Sequence, residues 1–137
     1  MALSQLTALG YADRRVNLQG ADETTMHQRS QERFDFPDYF GHNLAALHEC
    51  LGDVTAGEFG WDPSSTGLAV AVPGFQDFAE REPGLAQKLV DTWVRTSREG
   101  LLFGHRVLWL LEFGAVAVNL QPVASVTVGP YVGPLGR

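Results

Sequence analysis

Residues 36–51, which read FPDYFGHNLAALHECL, predict an aromatic loop followed by a very short helix with two unlike faces. Asn43 suits the N-cap position, because its side-chain oxygen can accept a hydrogen bond from a free backbone N–H in the first turn. Gly41, just before it, can supply backbone angles that other residues avoid. Gly52 can end the helix. The stretch therefore predicts a helix over 44–51 that is bounded at both ends.

The two faces of this helix differ in polarity. The apolar face carries three leucines with Cys50 close by, namely Leu44, Leu47 and Leu51. The opposite face presents residues spaced i, i+3, i+4 and i+7, namely Ala45, His48, Glu49 and Gly52. Glu49 meets the negative end of the helix dipole, which costs about 0.3–1 kcal/mol. A cost of this size is common for an exposed glutamate, so the helix alone leaves both a recognition role and an ordinary solvated surface open.

The excess negative charge is concentrated in the same part of the chain. Between residues 32 and 62 the only base is Arg33, and the seven acids are Glu32, Asp35, Asp38, Glu49, Asp53, Glu58 and Asp62. That segment carries a formal charge of −6, whereas the nine acids and nine bases elsewhere cancel. A localised negative field favours a basic partner and disfavours nucleic acid, which requires a basic patch. The acids also serve solubility, so charge alone leaves that alternative open.

The bulk properties predict one soluble domain. A chain of 137 residues is long enough to bury a core. The N-terminus lacks the basic and apolar regions of a secretory signal, and no run approaches the roughly 18–20 apolar residues of a membrane span. Cys50 is the single cysteine, so no internal disulfide is possible. These features predict a cytoplasmic protein that does not associate with membranes.

Apolar patterns predict that strands and helices alternate along the chain. A short strand is expected at 16–18, and continuous apolar runs predict buried strands at 67–73 and 107–111. Helical spacing occurs between them, at 24–34, at 44–51, near Phe75 and Phe78, and at 84–99, where Gly100 suits the C′ position. This order predicts an α/β fold with a small three-stranded parallel sheet, onto which right-handed crossovers pack the helices.

The predicted organisation has three parts. Residues 1–14 show no clear pattern and are expected to form an N-terminal arm, either flexible or a short helix. Residues 15–113 carry the predicted domain. Residues 114–137 alternate apolar and polar side chains around a Gln-Pro pair, which is typical of an extra β-hairpin, an extended C-terminal tail, or strands that pair with another subunit. The sequence assigns this extension no role.

Two groups of residues resemble barstar-type ribonuclease inhibitors. The first is Met26-His27-Gln28, and the second is Phe36-Pro37-Asp38-Tyr39-Phe40-Gly41-x-Asn43-Leu44-x-Ala46-Leu47-x-Glu49-Cys50-Leu51. The similarity is dense over residues 26–51 and follows the order of elements to about residue 112. It implies the same small three-stranded parallel sheet with helices. It also implies that the loop and short helix plug the active site of a small basic microbial ribonuclease or a related toxin.

The resemblance also implies roles for individual residues. The Glu49 carboxylate would take the place of a substrate phosphate among the basic catalytic groups of the enzyme. Tyr39 would be an aromatic anchor, and Asn43 would both hold the loop and face the partner. The implied partner-binding residues are Tyr39, Gly41, Asn43, Ala45, His48, Glu49 and Asp53. No catalytic residue, metal or cofactor is implied, so the chain is expected to be an immunity-type inhibitor and not an enzyme.

Four positions depart from the family pattern. Glu49 stands where an aspartate is usual, Ala45 where a second aspartate is frequent, and His48 where a tryptophan is common. Arg95 occupies about the place of another partner-facing acid. Together these differences imply a partner other than the best-known one, either a divergent ribonuclease or another small toxin.

Two enzyme-type alternatives are weaker. His42, His48, Glu49 and Asp53 are close in sequence, but the two histidines are six residues apart, which does not place them on one helical face for a metal. Cys50 lies near the apolar face and is interpreted as a core thiol and not a nucleophile. His48 and Glu49 diverge by about 100° as adjacent helical residues, so joint acid–base work on one atom is not expected.

A further alternative is a non-inhibitory interaction module, such as a chaperone or an assembly subunit, that uses residues 114–137. It predicts that removal of this extension, and not mutation of the helix, abolishes partner binding. Trp93 and Trp109 are expected in the core on every interpretation. No role is assigned to His27 or His105.

Overall fold

A computed structural model of the chain describes residues 3–113. The helices are α1 (Leu3–Ala8), α2 (Glu23–Phe34), α3 (Leu44–Thr55), α4 (Phe75–Arg81), α5 (Pro83–Gly100) and a 3₁₀ helix (Leu101–Phe103). The strands are β1 (Ala12–Arg15), β2 (Leu68–Val72) and β3 (Val107–Leu111). The hairpin, tail or subunit-pairing strands predicted for 114–137 lie outside the described residues.

The three strands form one parallel sheet in the order β1-β2-β3. Leu68 of β2 pairs with Ala12 on one side and with Val107 on the other. The connection from β1 to β2 contains α2 and α3, and the connection from β2 to β3 contains α4 and α5. All five residues of β2 are buried, as expected for the central strand of a parallel sheet. The predicted fold class is confirmed.

Both faces of β2 are covered by helices. Successive side chains of a strand point to opposite faces. One face of β2 therefore enters the main core, which α2 to α5 complete, through Leu68, Val70 and Val72. The other face is smaller, and there α1 packs its buried leucines on the sheet in a second cluster of Leu3, Leu6, Ala69 and Ala71.

The strand predicted at 16–18 is wrong in position, because β1 ends at Arg15. Backbone pairing does continue past that point, since the Val16 N–H donates to the Ala71 carbonyl at 2.9 Å. Apolar patterning misses β1 because its sequence, ADRR, is polar. Such a composition is usual for the edge strand of a sheet.

For residues 1–14 the sequence left a flexible arm and a short helix open. Helix α1 matches the short-helix alternative. Strand β1 begins at Ala12, so the boundary expected after residue 14 falls inside a strand of the sheet.

Two glycines that were expected to end helices lie inside them instead. Helix α3 continues through Gly52 to Thr55, because Val54 and Thr55 extend its buried face. Gly57, with a φ of +87°, follows the end of the helix. Gly100 is the last residue of α5 and has a φ of −59°, which is right-handed and not the left-handed conformation of a C′ residue.

The remaining elements agree with their predicted positions. β2 and β3 fall within the predicted apolar runs, but the burial predicted for β3 is wrong in part: Val107 is buried, Leu108 is exposed and the other three residues are half-buried, since β3 lies at an edge of the three-stranded sheet. Helix α2 ends before Pro37, and Asp35 follows it in the left-handed conformation with a φ of 55°. Trp93 is buried and stacks on Trp109 with ring centroids 4.5 Å apart. Within residues 3–113, no helix is both long and apolar enough to cross a membrane.

Candidate functional site

The aromatic loop before α3 is anchored from below and exposed at its tip. Phe36 and Phe40 are buried members of the main core, and their ring centroids lie 4.9 Å apart. Tyr39 lies between them in sequence, yet 75% of its surface is exposed. An aromatic side chain held outward on a fixed backbone loses little conformational freedom on binding, which suits it to be an anchor.

Asn43 fixes the junction between this loop and α3. Its Oδ1 accepts from the Ala46 N–H at 2.8 Å, which is the predicted N-cap bond. Its Nδ2 donates to the Gly41 carbonyl at 3.2 Å. A Cβ on Gly41 would lie 3.2 Å from that same Nδ2, so a larger residue would crowd the cap. The predicted cap is confirmed, and the amide also holds the loop.

His42, in the loop before α3, has a strained backbone conformation. Its φ of 52° is left-handed, a conformation that costs a non-glycine residue about 1–2 kcal/mol. The imidazole packs on Phe40 with ring centroids 4.8 Å apart. The contact with a buried ring offsets part of the backbone cost.

Helix α3 divides into the two faces that its sequence predicts. Its buried residues are Leu47, Cys50, Leu51, Val54 and Thr55. The predicted partner-binding residues that are exposed are Tyr39, Gly41, Asn43, Ala45 and Glu49, and those that are half-buried are His48 and Asp53. The outward face of α3 and the tip of the loop are therefore neighbours on the surface, joined through the cap at Asn43.

His48 contacts α5, which the sequence did not predict. Its Nε2 lies 3.6 Å from Oε1 of Glu99, with the two side chains 45% and 53% exposed. When the imidazole is protonated, an exposed pair of this kind contributes about 0–1 kcal/mol. The consequence is mainly geometric, because the pair brings a second carboxylate, that of Glu99, to the outward face of α3.

Arg95 does not form part of this contact. Its Nε donates to Asp91 Oδ1 at 2.7 Å, one turn earlier in α5. Arg95, at about the place where the resemblance implies a partner-facing acid, is therefore paired within its own helix. Glu99 follows Arg95 by four residues, so it lies on the same side of α5. That spacing was the signal in the sequence for a second acid near the site.

The acids of the charged segment face the solvent. Six of the seven are exposed, and Asp53 is half-buried. Hydrogen bonds from Ser64 hold the pKa of Asp62 below its usual value, so this carboxylate stays ionised. At Cys50 burial raises the thiol pKa, and the nearby charges of Asp53 and Glu49 add to the rise. The structure therefore supports the prediction of a core thiol.

His27 lies beneath the loop and was assigned no role from the sequence. Only 1% of it is exposed, and its ring contacts Phe40 edge-on at 5.7 Å between centroids. Its Nε2 lies 3.4 Å from a Glu23 carboxylate oxygen, and its buried Nδ1 has no hydrogen-bond partner within residues 3–113. Burial lowers the pKa of His27, which is the largest influence on it. A neutral imidazole therefore supports the loop.

The histidines of the site do not converge on a metal. His42 faces Phe40 and His27, whereas His48 faces Glu99. In the described part of the chain, no group of three or more His, Cys, Asp or Glu side chains has the geometry to hold a metal ion.

Comparison with known proteins identifies the family. Curated protein sequences give no match to the chain. A family model described as Barstar (barnase inhibitor) matches residues 12–111. The match runs from the start of β1 to the end of β3 and includes the loop, its cap and α3. Because it covers well over half of the 137 residues, the chain belongs to the Barstar (barnase inhibitor) family.

Proposed function

We propose that this protein inhibits a small basic microbial ribonuclease, or a related toxin, by inserting the loop tip and the outward face of α3 into its active site. Glu49 takes the place of a substrate phosphate among the basic catalytic groups. The observation that carries the proposal is the state of this carboxylate. It is exposed on a helix that is packed into the core, and no described residue forms a salt bridge with it.

A carboxylate in this state is suited to bind a cationic cleft. When an ion pair is withdrawn from water, its hydrogen bonds are stronger than those of a rim pair, provided that the opposing charges are fully matched. The active site of an enzyme that cleaves RNA supplies such charges, because it must bind a phosphate. Within residues 3–113 Glu49 has no salt-bridge partner to give up, so the complex gains the attraction without first breaking an ion pair there.

The loop and the helix make different contributions to binding. Tyr39 supplies apolar area beside the charge, and Asn43 keeps the loop and the helix in one geometry. The acids around the site attract a basic protein over a distance, which raises the association rate at low salt.

The departures from the family pattern support a partner with its own pocket shape. Glutamate at 49 reaches one methylene further than aspartate, so the matching pocket is deeper. Ala45 removes a second acid, while the His48–Glu99 pair supplies one from α5. We therefore expect the cognate enzyme to be inhibited more strongly than barnase itself. A cytoplasmic immunity protein that protects its producer is the corresponding biological role.

Inhibition of RNA cleavage tests the proposal directly. Purified protein is titrated against barnase and against the small basic ribonucleases of the source organism, with a fluorogenic RNA as substrate. We expect stoichiometric inhibition of at least one enzyme. Glu49→Ala should raise the Kd of that complex by roughly 30-fold or more, the size of a hot spot worth at least about 2 kcal/mol.

Glu32→Gln is the matched control for charge, since Glu32 is an exposed acid of the same segment but lies on α2. It should change the association rate slightly and the dissociation rate not at all. Equal effects of the two variants would contradict a phosphate-mimicking role.

A chain that ends at residue 113 should inhibit fully. If truncation abolished binding while Glu49→Ala did not, the interaction module that uses the C-terminal extension would be favoured instead.

A further inference from the structure

The 3₁₀ helix after α5 exposes three apolar residues in succession. Leu101, Leu102 and Phe103 are 59%, 86% and 61% exposed. Single exposed apolar residues are common on protein surfaces, but a continuous exposed group of large ones marks an interaction site more often. This apolar edge, defined as residues 101–103, is absent from the roles assigned so far.

The backbone of the apolar edge is fixed against α3. A Cβ built on Gly100 would lie 2.9 Å from Thr55 Cβ, so the chain enters the 3₁₀ helix in direct contact with the last turn of α3. The His105 Nδ1–H donates to the Thr55 carbonyl at 2.9 Å on the other side. Gly104, in a left-handed conformation, closes the helix with a bond to Leu101. A surface held in this way binds with little ordering cost.

The apolar edge adjoins the face that carries Glu49. Glu99 contacts His48 of that face and precedes Leu101 by two residues. Along α3, Glu49 and the Thr55 anchor are six residues apart, which is an axial rise of about 9 Å at 1.5 Å per residue. An interface of standard size buries about 800 Å² on each partner. A patch of that area is wide enough to include both the outward face of α3 and the apolar edge.

We propose that residues 101–103 form the apolar edge of the same binding surface, and that the inhibited ribonuclease meets them with an apolar patch beside its basic cleft. This inference rests on the function proposed above. Continuity with the outward face of α3 favours one partner for both regions. A second copy of this chain is disfavoured, because it would bring exposed acids such as Glu99 against one another.

The two regions are expected to act on different rates. Charged groups mainly steer the encounter and change the association rate, whereas removal of a desolvated apolar contact mainly speeds dissociation. Loss of the apolar edge should therefore leave the salt dependence of association unchanged.

The experiment uses the full chain and the enzyme that it inhibits in the assay above, with surface plasmon resonance to measure both rates. Leu102→Ser/Phe103→Ser should speed dissociation about tenfold or more, as expected when large apolar side chains lose their burial. The single change Leu102→Ser should give a smaller effect in the same direction. Leu9→Ser is the matched control, because Leu9 is exposed to the same 59% as Leu101 but follows α1.

The outcomes separate this inference from the proposed function. If Glu49→Ala weakens the complex but the double variant dissociates at the wild-type rate, only the apolar edge is overturned. If the wild-type chain inhibits neither a ribonuclease nor a related toxin, both proposals fail. Sedimentation of the chain alone should give a monomer, and a dimer that the double variant abolishes would assign the edge to a second copy. If the double variant instead has a lower free energy of unfolding than the wild type, residues 101–103 would be assigned to packing against residues 114–137 of the same chain.

Discussion

Gly100 of α5 packs directly on Thr55 of α3. A Cβ built on Gly100 would lie 2.9 Å from Thr55 Cβ and 3.0 Å from the Thr55 carbonyl oxygen. Ordinary carbon contacts are about 3.5–4.0 Å, so only glycine allows this approach without a shift. The contact fixes the last turn of the helix that carries Glu49, and the role of Gly100 is therefore close helix packing and not helix termination.

Two glycine substitutions should have opposite effects on stability. Gly100→Ala forces α3 and α5 apart and should lower the free energy of unfolding by about 1–3 kcal/mol, as overpacking does. Gly52→Ala should raise it by about 0.5–1 kcal/mol, because Gly52 lies in the helix and nothing is within 4 Å of a Cβ there. Urea unfolding of both variants measures the difference. Destabilisation by Gly52→Ala would indicate that the helix does not continue past residue 51.

The sequence predicts the elements whose signal is local. The apolar runs predict the positions of β2 and β3 and the burial of β2, and Asn43 predicts a helix start, because burial and capping leave a direct trace in residue type. β1 leaves no such trace, since an edge strand with a polar sequence depends on its neighbour for pairing. Gly52 and Gly100 are misread for different reasons: Gly100 serves close packing against Thr55, whereas Gly52 lies in a helix that the buried residues Val54 and Thr55 extend past it.

The residues of the candidate site also divide into those with a local signal in the sequence and those without one. The outward positions of Asn43 and Glu49 follow from capping and helix periodicity within one stretch of the chain, whereas that of Tyr39 was implied by the family resemblance. The contact of His48 with Glu99 joins residues 51 positions apart, so no local pattern contains it. His27 is similar, because its place beneath the loop depends on how α2 packs against Phe40.

The cap at Asn43 should contribute to stability through two separate bonds. Asn43→Ala removes the acceptor for the Ala46 N–H and should lower the free energy of unfolding by about 1 kcal/mol. Asn43→Asp keeps that acceptor but loses the donor to the Gly41 carbonyl. Urea unfolding should therefore place the aspartate variant between the wild type and the alanine variant. If the two variants were equally unstable, the bond to Gly41 and not the cap would dominate.

Cys50 should be a poor nucleophile in the folded protein. Burial raises the pKa of the thiol, and the charges of Asp53 and Glu49 raise it further, so little thiolate is present near neutral pH. As the single cysteine of the chain it gives an unambiguous signal with a disulfide reagent such as DTNB. We expect slow reaction in buffer and fast reaction in denaturant. Glu49→Gln should change the native rate only slightly, because burial is the largest cause; rapid native labelling of the wild type would refute the buried position.

His27 should make the protein less stable as the pH falls. Burial holds its pKa below the ordinary value of 6.5, so the folded state keeps the imidazole neutral while the unfolded chain takes up a proton. The unfolded state then binds more protons, and the free energy of unfolding declines as the pH falls through that value. Glu23 opposes the shift and His42 reinforces it, and these are the titratable groups that act on His27. Urea unfolding at about pH 7.5 and about pH 5.5 measures the decline.

Two variants separate this effect from general acid sensitivity. His27→Gln should flatten the pH dependence of the free energy of unfolding. Glu23→Gln removes the carboxylate that favours the charged imidazole, so it should extend the decline to lower pH. Because the His27 ring packs edge-on against Phe40 and its Nδ1 has no hydrogen-bond partner among residues 3–113, protonation should loosen the loop before the sheet, and Tyr39 should gain mobility first. An unchanged slope in His27→Gln would assign the acid sensitivity to other groups and leave His27 a purely packing role.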